Sequence, residues 1–127
     1  MNPKDFVKVS VMRESKDQEK IKQRLQDTDT VRLLHAMIGL TTESGEIQDQ
    51  MKKHIFYGKA IDKVNLVEEL GDLMWYIAIA SDVLGVSLED IMAKNNEKLE
   101  ARYGKVFTES AALNRDLDKE REILEKK

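Results

Sequence analysis

The sequence predicts an all-α helical bundle of four to five helices, completed by subunit association. Three observations predict it. Apolar residues recur at three- and four-residue spacing through residues 30–56 and 64–84. One proline and six glycines are the only strong breakers in 127 residues, which leaves room for long helices. No stretch shows the strict alternation of a half-buried strand. The length suits one domain, read here as residues 1–127 with a core at 30–104.

The elements follow in order. Residues 1–12 are mixed in character, and residues 13–29 carry only Ile21 and Leu25 as apolar positions among charge and glutamine. This second stretch is either a short exposed helix or a mobile segment. Leu33, Met37, Leu40, Ile47, Met51 and Ile55 form the stripe of a helix over 30–56. Val31, Leu34 and Ile38 widen it, so this helix is apolar on two sides. Gly58 is its expected C-cap. A second helix spans 64–84 and is apolar all round from Leu73 to Ala80, which places it in the core. Gly85 ends it, Ser87 caps the next helix over 88–103, and Gly104 closes that one. Residues 108–126 read as one charged helix with a thin seam of Leu113, Leu117 and Leu124.

Composition excludes several functions. With 24 acids against 21 bases, the net charge of −3 gives no electrostatic case for nucleic-acid binding. The absence of cysteine removes disulfides and thiolate metal sites. The N-terminal residues have no signal-like apolar run, and Leu73–Ala80 is too short to span a bilayer. The expectation is a cytoplasmic protein with no membrane partner.

The chemistry lies in two acidic doublets, Glu43-x-x-Glu46 and Glu69-x-x-Asp72, separated by residues 47–68. Residues three apart on a helix are neighbours, with Cβ atoms roughly 5–6 Å apart. A single acidic doublet is usually surface decoration. These two instead lie within the most apolar helices. Packed antiparallel, those helices bring four carboxylates together, and buried unpaired carboxylates require a cation. An all-oxygen site suits a hard ion, Mg²⁺ or Mn²⁺ in its place. On the second helix, Asn65, Glu69, Asp72 and Tyr76 share a strip about 60° wide.

Lys98 and Arg102 are four apart on the third helix, beside Asn95. Together they can hold one phosphate, the arginine as a planar fork and the lysine as a point charge. Paired with Glu97 or Glu100, they are an ordinary solvated face. Lys53 and its neighbours offer further positive charge. His35 aligns with Glu46 and Lys53 on the helical wheel. It is either a boundary histidine or a contact to a bound base or sugar. No P-loop, dinucleotide fingerprint or HExxH is present. Neither doublet is the Glu-x-x-His of di-iron bundles.

The stretches HAMIGLTTESGEIQDQMKKHIFYGK, NLVEELGDLMWYIA and NNEKLEARYG, covering residues 35–104, resemble the MazG-like all-α nucleoside triphosphate pyrophosphohydrolases. The resemblance implies hydrolysis of a nucleoside or deoxynucleoside triphosphate to the monophosphate and pyrophosphate, in clearance of surplus nucleotides. It implies Glu43, Glu46, Glu69 and Asp72 as Mg²⁺ ligands and catalytic acids. It implies Lys98 and Arg102 on the triphosphate, with Asn95 or Asn96 beside them. Lys53 and Tyr103 match basic and aromatic positions of the pattern. A homodimer or homotetramer with sites between subunits is the implied assembly. Two other readings stand beside it: a non-catalytic helical interaction module that binds through the charged C-terminal helix, and a nucleotide sensor without turnover.

Overall fold

The computed structural model describes residues 1–126. Among them are seven helices and no strand: α1 (Pro3–Arg13), α2 (Gln18–Arg24), α3 (Thr28–Tyr57), α4 (Lys63–Leu84), α5 (Leu88–Tyr103), α6 (Glu109–Leu113) and α7 (Leu117–Glu125). The all-α expectation holds. The count exceeds four to five because short polar-capped helices form at both ends of the chain.

Each boundary has a local cause. Asn2 accepts from the Asp5 amide at 2.9 Å, and Pro3 starts α1. Asp17 caps α2 by accepting from the Lys20 amide at 3.1 Å, so the 13–29 stretch does hold a short helix. Asp27 accepts from Thr30 at 2.7 Å and begins α3 two residues before the expected start. Gly58, at φ 69°, ends α3, and Gly85, at φ 64°, ends α4. Both take the left-handed backbone that glycine adopts without a Cβ penalty. Ser87 accepts from the Asp90 amide at 3.0 Å and starts α5 as expected. The single helix expected over 108–126 is two. Asn114 turns its side-chain amide back to the Ser110 carbonyl at 2.9 Å. Asp116 then caps a new helix through the Lys119 amide at 3.0 Å.

Two packed units result. Helices α3 and α4 form an antiparallel hairpin, and α5 packs on α6 and α7. The hairpin register is visible in three cross-pairs. Arg32 meets Asp82 at one end, Gly39 meets Tyr76 further along, and Gln50 meets Asn65 near the loop. At Gly39 a Cβ would sit 2.2 Å from the Tyr76 ring. Glycine there lets the ring lie on the α3 backbone, a close approach no other residue permits.

The central stretch of α4 is not enclosed within one chain. Leu70, Met74 and Trp75 remain 55%, 63% and 55% exposed, and Ala36 and Ala80 are the only buried apolar side chains among the described residues. A hairpin gives each helix one neighbour, whereas α4 is apolar on more than one side.

Candidate active site

Glu43 on α3 and Glu69 and Asp72 on α4 each direct a carboxylate oxygen to one point, all within 4.8 Å of one another. The antiparallel register does this: it sets the first doublet of α3 across from the second doublet of α4. Glu69 is buried, Glu43 half-buried and Asp72 exposed, so the trio opens to solvent on one side. Burial raises the Glu43 carboxyl above its usual range. The Thr42 hydroxyl, 3.3 Å away, opposes this, while Glu46, Glu69 and Asp72 push the same way as burial. A divalent cation would relieve that repulsion, and three oxygen donors suit a hard ion.

Glu46 stands apart from the trio. It is exposed and lines a cavity of about 420 Å³ with Asp49, Gln50, Lys53 and Asn65. Lys53 is held there by Asp49, which also takes Lys52 at 2.6 Å. The two ammonium groups, Lys52 first, draw the Asp49 carboxyl down to about 2. Sequence reasoning passed over Asp49, although its i,i+3 and i,i+4 spacing to the lysines was available.

It placed Asn65 on a strip with Glu69 but did not see the chain of amides that Gln50 completes. Asn65 donates through Nδ2 to Glu69 Oε1 at 2.8 Å. Its Oδ1 accepts from Gln50 Nε2 on the facing helix. The spacing of Asn65 to Glu69 was visible on the helical wheel. Gln50 gave no signal before the hairpin register was known.

His35 joins an aromatic cluster with Trp75 and Tyr76, its ring centroid 6.5 Å and 5.7 Å from theirs. Tyr76 follows Asp72 by one turn, so this cluster adjoins the trio along α4.

Lys98 and Arg102 lie on the other unit, on α5. Lys98 is half-buried and forms no ion pair among the described residues. Arg102 is bound by Glu120 of α7 through Nε at 2.7 Å and Nη2 at 2.6 Å. Arg115 adds a third close contact to Glu120 at 2.7 Å. The two guanidinium groups, Arg102 first, hold the Glu120 carboxyl at about 2. Glu120 in turn raises Arg102, with Tyr103 adding to it. Tyr103 places its ring 5.5 Å from that guanidinium and lines a groove of about 380 Å³ with Asn96, Leu99 and Phe107. Asn96, not Asn95, faces this groove. The structure thus gathers Glu43, Glu69 and Asp72, and it leaves Asn95, Lys98, Arg102 and Tyr103 on α5.

Comparison with known proteins adds a family. The sequence model for the MazG nucleotide pyrophosphohydrolase domain matches residues 32–107. An uncharacterized protein of Bacillus subtilis (strain 168), YvdC, is 49% identical over 45 residues, 35% of this chain and 42% of that protein. This chain therefore spans under half the length of that relative. The Gene 37 protein of Mycobacterium phage L5 is 31% identical over 94 residues, 70% of this chain and 82% of that protein. No solved structure matches significantly.

Proposed function

The chain belongs to the MazG nucleotide pyrophosphohydrolase domain family, and from that premise we propose that it hydrolyses nucleoside or deoxynucleoside triphosphates to the monophosphate and pyrophosphate. The observation that carries the reading is the convergence of Glu43, Glu69 and Asp72 within 4.8 Å. These three would hold Mg²⁺, with Mn²⁺ as a substitute, and the ion when bound would supply positive charge at the phosphate oxygens and make the attacking water more acidic. Glu46, beside the trio but outside it, accepts the water proton. The water oxygen bonds to phosphorus as the α–β anhydride bond breaks, and pyrophosphate leaves. Lys98 neutralises charge on the phosphate oxygens, and Arg102 joins it by exchanging Glu120 for phosphate. Asn95 or Asn96, Lys53, His35 and Tyr103 complete the substrate contacts. Nucleotide-pool clearance in the cytoplasm is the role this chemistry suits.

The site is completed by a second copy of the chain, as homodimer or homotetramer. The chain alone exposes 10595 Å². A compact monomer of its 14.6 kDa exposes about 6,900 Å². The bare apolar face of α4, with Leu70, Met74 and Trp75 all more than half exposed, supports the same reading, because contiguous exposed apolar surface marks interaction sites. Among the described residues no helix is long and apolar enough to cross a membrane, so that face has no spanning role.

The test is a panel of nucleoside and deoxynucleoside triphosphates incubated with protein and Mg²⁺. Turnover of at least one is expected. Tight nucleotide binding without turnover would mark a sensor, and neither binding nor turnover an interaction module.

A further inference from the structure

We infer that Asn65, locked by Gln50, is a positioning residue that aims Glu69 at the cation. The inference rests on the cation reading above.

Three observations carry it. Glu69 is the one buried acid of the trio, 4% exposed. One of its oxygens is taken by Asn65 Nδ2 at 2.8 Å, which leaves the other for a cation. A carboxylate fixed in this way loses little rotamer freedom when it binds an ion, and outer partners of metal ligands act through such contacts. The third observation is the direction of the Asn65 amide. An asparagine side chain has a donor end and an acceptor end of nearly equal shape. Glu69 is a carboxylate that can only accept, so the donor end faces it, and Gln50 Nε2 donates to the acceptor end, Oδ1. Glu68 Oε2, 3.4 Å from the same Nδ2, favours that orientation too. Gln50 has no hydrogen bond to an acid of the trio, yet its bond holds Asn65 in the orientation that Glu69 requires.

The relay makes a prediction opposite in sign to simple electrostatics. Gln50→Glu adds a negative charge near a cation site, which by Coulomb attraction alone tightens the ion. In the relay, Glu at this position can only accept. It then competes with Glu69 for the Asn65 NH₂, Glu69 loses its fixed orientation, and the ion binds more weakly.

The experiment titrates Mn²⁺ into wild type, Asn65→Leu and Gln50→Glu without nucleotide, reading free Mn²⁺ by electron paramagnetic resonance. Thermal unfolding of all three in chelator is measured alongside. Both variants are expected to lose about 10- to 100-fold in Mn²⁺ affinity while unfolding cooperatively. Unchanged or tighter Mn²⁺ binding by Gln50→Glu, with wild type binding normally, overturns the relay and leaves the cation reading intact. Unchanged affinity in Asn65→Leu with a lowered unfolding midpoint shows a merely structural amide and also overturns it. Absence of Mn²⁺ binding by wild type overturns the cation reading, and the relay with it.

Discussion

Arg102 presents Nε and Nη2 side by side to the two oxygens of Glu120, at 2.7 and 2.6 Å. This is the planar, bidentate geometry by which arginine also holds a phosphate. One guanidinium edge cannot serve both partners. Arg102 lies within the family-matched residues 32–107 and Glu120 outside them. A substrate phosphate taken up on the Nε–Nη2 edge, the contact proposed for Arg102, would displace a carboxylate already in place.

That competition is measurable. Glu120→Gln is expected to lower the KM for the triphosphate severalfold, because a neutral amide releases Arg102 more readily. It should also lower the unfolding midpoint, since Arg102 and Arg115 lose the carboxylate that pairs them. A lowered midpoint with unchanged KM would make Arg102 an anchor for α7 and nothing more.

The clasp sets an acid limit. The Glu120 carboxyl falls from an ordinary 4.5 to about 2 in the fold. A depressed pKa contributes stability that is complete above the unfolded value and lost as pH falls through the folded one. The stability difference between wild type and Glu120→Gln should therefore hold at neutral pH, shrink from pH 4.5 downward, and vanish below about 2. Paired unfolding curves across that range check it.

Gly39→Ala tests the seating of Tyr76. In a free helix alanine is favoured over glycine by about 0.5–1 kcal/mol. Here the new methyl would sit 2.2 Å from ring carbons, and overpacking of that kind costs about 1–3 kcal/mol. The clash wins, so Gly39→Ala should unfold at lower denaturant. Adding Tyr76→Leu should recover part of the loss.

Glu46 and Asp72 should separate binding from chemistry. Asp72→Asn removes a member of the trio and should weaken Mn²⁺ binding and abolish turnover. Glu46→Gln leaves the trio intact. It should keep most Mn²⁺ affinity and lose about 10²- to 10⁴-fold in turnover, the range of a lost general base. Metal titration beside initial rates distinguishes the two, and circular dichroism confirms the helices in both.

The hairpin was legible in the sequence because its signals are local. Gly58, Gly85 and Ser87 each mark a boundary by their own backbone chemistry, and the 3–4 spacing of α3 and α4 fixes their faces. The acid doublets were legible for the same reason. Which members of a doublet meet depends on how α3 is rotated against α4, and that is a tertiary fact. Glu43 therefore joined Glu69 and Asp72 while Glu46 did not. The split at Asn114–Asp116 was missed because leucine spacing outweighed the capping preference of Asp116. The engagement of Arg102 could not be seen at all: its partner lies 18 residues away, beyond any helical repeat. For the bare face at Met74 and Trp75, subunit association was the expectation from the apolar excess of α4, and one chain does not show what packs on it.

The products decide the central claim most directly. Wild-type protein, Mg²⁺ and one accepted triphosphate should yield nucleoside monophosphate and pyrophosphate in equal amounts, with no orthophosphate at early times. Nucleoside diphosphate with orthophosphate, or no product from folded protein that binds the ion, would contradict it.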